Sequence, residues 1–316
     1  MDPRITPDPN LCLATDERAI DDWESETTSI GPDIYKGVIE NGRRYQTLRA
    51  SGVHVPADEK MFDAYESSHL LFITLDSQLK NPFFHAPVNS AKNILDIGTG
   101  KGSWAIDVAD LSIFRDTTVR GVDLFPPPQT WIPPNCILEV DDILQDWTWR
   151  EPFDLIHLRL LDCAFTPEET DRVYKQCYDH SAPGGWIEQL EMSAVIECDD
   201  NSMAEDSVLR TWGQNLTRAA EKAGRRYGTM YTMQESIEKA GFTDVKVKDY
   251  KLPIGPWPRD KLLKEAGAIN FHHWMEGMEG YCMWLLTRNT EGTSEPTESL
   301  LSQGEEDLGE ETAGFA

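Results

Sequence analysis

The chain is short of positive charge. Its 316 residues carry 29 Lys and Arg against 55 Asp and Glu, a formal net charge of -26 at pH 7. Gripping a nucleic-acid backbone takes clustered Lys and Arg, so this balance excludes a nucleic-acid partner. Long apolar runs are lacking too: no stretch of about eighteen apolar residues occurs, and the N-terminus has no apolar core of the signal-peptide kind. The expectation is a soluble intracellular protein, cytoplasmic or nuclear, with no membrane partner. Paired metal-type cysteines are also missing. Cys12, Cys136, Cys163, Cys177, Cys198 and Cys282 form no C-x-x-C pair, and none stands beside a His at zinc spacing, so free thiols in a reducing compartment are expected and no metal. His272 and His273 do not change this, because adjacent helix positions face different ways.

Apolar residues make up 40% of the chain, a little low for a wholly globular protein. Acidic residues crowd both ends, which reads as a disordered N-terminus over 1–34 and a disordered tail over 291–316 around a folded domain at 35–290. Within that domain, Met61, Phe62, Tyr65, Leu70, Leu71, Phe72 and Leu75 recur at helical spacing behind Pro56 and Asp58, placing a helical prelude at 35–90. Strand and helix signals then alternate. Strands are expected at 93–97, 117–124, 137–140, 153–158, 184–190 and 244–252, and helices at 103–111, 167–180, 203–223, 233–240 and 260–286, with a helical insertion or lid over 200–235. Alternation at this pitch implies an α/β fold: a Rossmann-like, doubly wound, mostly parallel sheet with helices on both faces.

The chemistry-bearing feature is the strand-turn Ile94-Leu95-Asp96-Ile97-Gly98-Thr99-Gly100-Lys101-Gly102. Glycines there let the backbone turn sharply and come close to a ligand. It is no P-loop, since Lys101 is followed by Gly102. It departs from the dinucleotide pattern G-x-G-x-x-G as well, because Ser103 holds the third glycine position and Gly102 comes one residue early. Asp96, inside the strand, suits a cationic ligand better than a pyrophosphate. Asp123 closes the next strand at about the distance expected for an acid that takes two ribose hydroxyls, with Leu124 after it. Asp141 and Asp142 follow the third strand, where acceptors suit an adenine amino group or simply cap a turn. A nucleoside carrying a cation in place of phosphates is S-adenosylmethionine (SAM).

These residues, with Trp104-Ala105, Asp146-Trp147 and Phe153-Asp154-Leu155-Ile156-His157-Leu158-Arg159, resemble class I SAM-dependent methyltransferases, and more narrowly the fungal LaeA-like (TAM-domain) group. Gly42-Arg43-Arg44-Tyr45, Pro183-Gly184-Gly185-Trp186 and Glu276-Gly277-Met278-Glu279-Gly280 carry the narrower likeness. The resemblance implies SAM held by Asp96, Gly98, Thr99, Gly100, Gly102, Asp123, Leu124, Asp141, Asp142 and Tyr45. It also implies methylation of a small-molecule acceptor in fungal secondary metabolism, or regulation of that metabolism through protein partners. The aromatic final strand usual in the group is not evident in the acidic stretch after Asn289, which would leave a sheet edge unpaired. For an oxygen acceptor His157 is the candidate general base; otherwise it lines the pocket. Arg159 either holds an acidic substrate or pairs with a nearby acid.

Overall fold

The computed structural model describes residues 31–49, 55–129, 131–200, 202–287 and 295–313. The expected disorder over 1–34 falls mostly outside them, and Pro32–Lys36 is a short helix, α1. The prelude contains a hairpin that the helical reading passed over. Strands β1 (Val38–Glu40) and β2 (Arg43–Tyr45) pair antiparallel. The two residues between them, Asn41 and Gly42, have φ of 50° and 74°, the left-handed pair that a tight hairpin turn requires and that Asn-Gly supplies most readily.

Five parallel strands form the central sheet: β3 (Asn93–Ile97), β4 (Thr118–Asp123), β5 (Cys136–Val140), β6 (Phe153–Arg159) and β7 (Ser181–Leu190), in the order β5-β4-β3-β6-β7. The connections run outward from β3 through β4 to β5, then return to β6 and continue to β7. The chain therefore switches direction between β3 and β6, where doubly wound sheets open a ligand crevice at their carboxyl ends. Helix α3 (Ser103–Ala109) covers one face, and Trp104, Ala105 and Val108 pack with Ile94, Val119 and Leu155. Helix α4 (Pro167–Asp179) covers the other, with Val173 and Cys177 against Ile97, Ile156 and Leu158. It starts on a full capping box between Thr166 and Glu169 with Pro167 in its first turn.

Two helices from opposite ends of the chain cap the crevice. In α2 (Glu59–Leu75) Asp58 is the N-cap, its carboxylate accepting from the Met61 N–H while Arg43 grips the same group through two bonds of 2.6 and 2.7 Å. Helix α7 (Lys261–Thr287) crosses α2 closely because it presents glycines there. A Cβ at Gly280 would stand 2.6 Å from the Met61 sulfur, and one at Gly277 3.2 Å from the Ala64 methyl. His273 seals the contact, its Nδ1–H donating to the Ala64 carbonyl at 2.9 Å, and burial pulls its pKa down to about 4. The unfolded imidazole protonates near 6.5, so between pH 6.5 and 4 the unfolded chain holds the extra proton. The contribution is complete above about pH 6.5 and is lost as pH falls towards 4. Urea midpoints should therefore separate wild type from His273→Gln by about 2–3 kcal/mol more at pH 7 than at pH 4.5. An equal separation at both pH values would refute the assignment.

Four expectations need correction. Residues 244–252 are not a strand. They take no regular structure and lie mostly exposed, outside the five-stranded sheet; Tyr250 instead donates to Asp76 at 2.6 Å, with Lys248 3.5 Å from the same carboxylate. The helix expected over 203–223 begins only with a 3-10 turn at Val208–Thr211, followed by α5 (Trp212–Lys222), since the Ser207 hydroxyl accepts the Leu209 N–H and starts the turn there. His180 is the C-cap of α4 and lies outside the helix. The acidic tail is no tail over Glu295–Ala313, which is helix α8. Leu301 and Leu308 on it are buried against Leu209, Trp212 and Met278. Helix α6 (Met233–Ala240) falls where expected. Five of the cysteines are free thiols, and Cys12 lies outside the described residues. No described helix is long and apolar enough to cross a membrane.

Candidate active site

The glycine turn leaves β3 and is held by the neighbouring strand. Gly98 and Thr99 both donate their N–H to the Val122 carbonyl, at 2.9 and 3.0 Å, and Gly100 donates to the Asp123 carboxylate at 2.7 Å. Gly98, Gly100 and Gly102 have φ of 69°, 57° and 86°, a region costly to any residue with a Cβ. Gly98 has a second reason to lack a side chain, since a Cβ there would lie 2.5 Å from Leu161 Cδ2. Gly121 on β4 was missed as a site residue. Its Cβ would lie 2.5 Å from the Thr99 hydroxyl, so its bareness gives Thr99 its place.

Asp96 lies below the turn. It is buried, and both of its oxygens are engaged: one accepts the Thr99 hydroxyl at 2.7 Å and the other meets His157 Nδ1 at 2.8 Å. Register places Asp96 directly opposite His157 on β6. The His157 ring is covered by Trp104, the two stacked 3.8 Å apart at 3°. Trp104 is itself fixed by its indole N–H to the Phe83 carbonyl at 2.8 Å.

Asp123 ends β4 beside the turn. Its carboxylate accepts from Gly100 and from Leu124, each at 2.7 Å, and no cation pairs with it among the described residues. Burial pushes its pKa up, and those backbone N–H bonds resist the shift. Asp141 joins it through the backbone, its N–H donating to the Asp123 carbonyl at 3.0 Å. Asp142 caps the following turn, accepting the Leu144 N–H at 3.1 Å. Tyr45 is buried with Cys163, Ala220, Trp284 and Leu285, and its hydroxyl has no partner among the described residues.

The crevice floor beyond β6 is strained. Leu160 and Cys163 take φ of 54° and 62°, where non-glycine residues are rare and tend to mark functional loops. The segment between them is tied down from both sides. Glu191 accepts the Leu161 and Asp162 N–H groups, and Asp162 accepts those of Gly228 and Thr229. Burial, and then the charge of Asp162, raise Glu191 to about 8. Leu161 lies against Gly98, and the ring of Tyr65 lies 3.4 Å from the Cβ position of Gly100. The cradle that a ligand would occupy is thus lined by Leu161 and Tyr65.

A parallel sheet with its switch point at a left-handed glycine turn, and a carboxylate closing the next strand, defines the class of nucleoside-binding doubly wound α/β proteins. Residues 74–247 match the methyltransferase domain family. The chain is 34% identical over 267 residues to "Methyltransferase pytC" of Aspergillus terreus, covering 84% of this chain and 81% of that one. It is also 34% identical over 257 residues to "Secondary metabolism regulator LAE1" of Cochliobolus heterostrophus, covering 79% and 81%. The corresponding regulator laeA of Aspergillus fumigatus is 32% identical over 241 residues, 75% of this chain and 62% of that protein. The chain belongs to the SAM-dependent methyltransferase family. Within it, the chain joins the group that holds pytC and the fungal secondary-metabolism regulators.

Proposed function

We propose that the protein binds SAM at the glycine turn and passes its methyl group to a small molecule of fungal secondary metabolism. The observation that carries this reading is the half-buried Asp123 carboxylate beside the glycine turn, which meets only backbone N–H groups and pairs with no cation among the described residues. That donor set fits the group: ribose hydroxyls suit Asp123, close backbone approach suits Gly98, Gly100 and Gly102, and Leu124 and Asp141 border the nucleoside end. Asp142 is mostly committed to its turn, and Tyr45 drops out because it lies in an apolar cluster. Thr99 and Asp96 act together as positioning residues that set the turn.

SAM supplies a methyl group on a cationic sulfur, open to in-line displacement. The chain's own contribution is orientation and exclusion of water. Leu161 and Tyr65 close over the turn, and α2 and α7 roof it. His157, clamped between Asp96 and Trp104, holds the floor and is a positioning residue in this reading rather than the base. Isothermal titration tests the proposal. SAM should bind the folded wild type, and Asp123→Ala should weaken it by about 1–3 kcal/mol, the range for leaving buried hydroxyl partners unmet. Folded protein without SAM affinity would remove the enzyme reading and promote the second one, favoured by the likeness to LAE1: a regulator that acts through protein partners.

A further inference from the structure

Arg159 ends β6 at the switch point, and the structure decides between the two roles its sequence leaves open. It makes no ion pair with any acid among the described residues. Its one hydrogen bond runs from Nη1 to His69 Nδ1 at 3.1 Å, and its guanidinium carbon lies 5.6 Å from the centre of the Phe72 ring. A guanidinium has no lone pair to offer, so His69 Nδ1 must be the acceptor, and His69 then carries its proton on Nε2. That nitrogen stands 3.0 Å from the Asp107 carboxylate, which fixes the tautomer and the ring. Asp107, His69 and Phe72 therefore aim the guanidinium while using only one of its five N–H donors.

The acids nearest in electrostatic terms are all engaged elsewhere. Asp96 holds Thr99 and His157, Glu66 accepts the Ser103 hydroxyl at 2.6 Å, and Asp107 holds His69. Burial pulls the Arg159 pKa below its usual value, the mark of a charge short of a close counter-ion. Arg159 lines an open-sided cleft with His69, Phe72, Asp76, His157 and Glu188, and the two acids are held by other groups: Asp76 by His85 and the Tyr250 hydroxyl, Glu188 by the His85 and Ala86 N–H groups.

We infer that this cleft is the acceptor's recognition site, and that it takes an acceptor bearing a carboxylate, held by the Arg159 fork. The inference rests on the methyltransferase reading for its meaning, though not for its measurement. A two-oxygen anion matches the guanidinium fork, and such charge-assisted pairs are the strong ones. The site selects what is methylated, while the glycine turn supplies the donor.

The test is calorimetric titration of the full chain with benzoate and phenylacetate against benzamide and phenylacetamide, with and without S-adenosylhomocysteine. Each acid should bind at least tenfold tighter than its amide. Arg159→Met should abolish that preference, and Arg159→Lys should keep part of it. Melting temperature and S-adenosylhomocysteine affinity report whether each variant is folded. Equal binding of acid and amide by wild type, no binding of either acid, or an undiminished preference in folded Arg159→Met would overturn the proposal. Should Arg159→Met not fold, the wild-type contrast and Arg159→Lys decide alone. Loss of S-adenosylhomocysteine binding with the acid preference intact would instead overturn the donor-site reading.

Discussion

Asp96→Ala should unfold about 2–6 kcal/mol more easily than wild type, because the change strands two buried groups at about 1–3 kcal/mol each. Thr99 Oγ1 and His157 Nδ1 both end on the Asp96 carboxylate, and both residues are buried. His157 has no freedom to find another partner, since Trp104 is stacked on its ring and fixed in turn to Phe83. Asp96→Asn should recover most of the loss: its carbonyl still accepts from His157, and the Thr99 hydroxyl can rotate to accept from the amide. Urea denaturation measures both, with unchanged slope as the sign that only stability moved. An Asp96→Ala midpoint within 1 kcal/mol of wild type, or an asparagine no better than alanine, would show that Asp96 does not organise the turn. A role limited to touching a cationic ligand predicts that milder result.

This result would also explain what the sequence could and could not disclose about the site. The order Gly98, Gly100, Gly102 and the distance to Asp123 are properties of the chain's own covalent spacing, so the turn and the acid beside it were legible. What Asp96 faces is set by register with β6, a non-local pairing, and no spacing within β3 reports that His157 lies opposite. Arg159 was ambiguous for the same reason, because its partner His69 is ninety residues away on α2. Gly121 looked like an ordinary strand residue until the position of Thr99 gave it a reason to be bare. The Asn41-Gly42 hairpin, by contrast, carried a readable turn signal. The apolar helix that follows it drew the whole prelude into a helical reading. Residues 244–252 have strand-like composition, yet a strand also needs a partner edge, and composition is silent on that.

Helix α8 poses the opposite problem, because its acidic composition hid a buried face. Leu301 and Leu308 lie seven residues apart, two helical turns, and pack with Trp212 and Met278. Gly304 sits between them, where a Cβ would stand 3.1 Å from the Trp212 ring, and Asp307 accepts the Val208 N–H at 2.8 Å. Two apolar anchors and one hydrogen bond thus tie α8 to α5 and α7. Leu301→Ala and Leu308→Ala should each cost about 2–5 kcal/mol. Because both pack into the same cluster as Trp212 and Met278, the two costs need not add, but the double variant still removes a large share of the stability of an ordinary domain, about 5–15 kcal/mol. If α8 undocks before the domain unfolds, the measured cost stops at the undocking free energy and Trp212 and Met278 become exposed. Hydrogen exchange separates the two outcomes: global unfolding releases the amides of β3 and β6, whereas undocking releases only those of α8 and its partners. A double variant with wild-type midpoint and wild-type exchange would show that α8 is not part of the fold. Undocking would also remove packing from α7, one of the two helices that roof the crevice, so α8 should govern how firmly that roof is held.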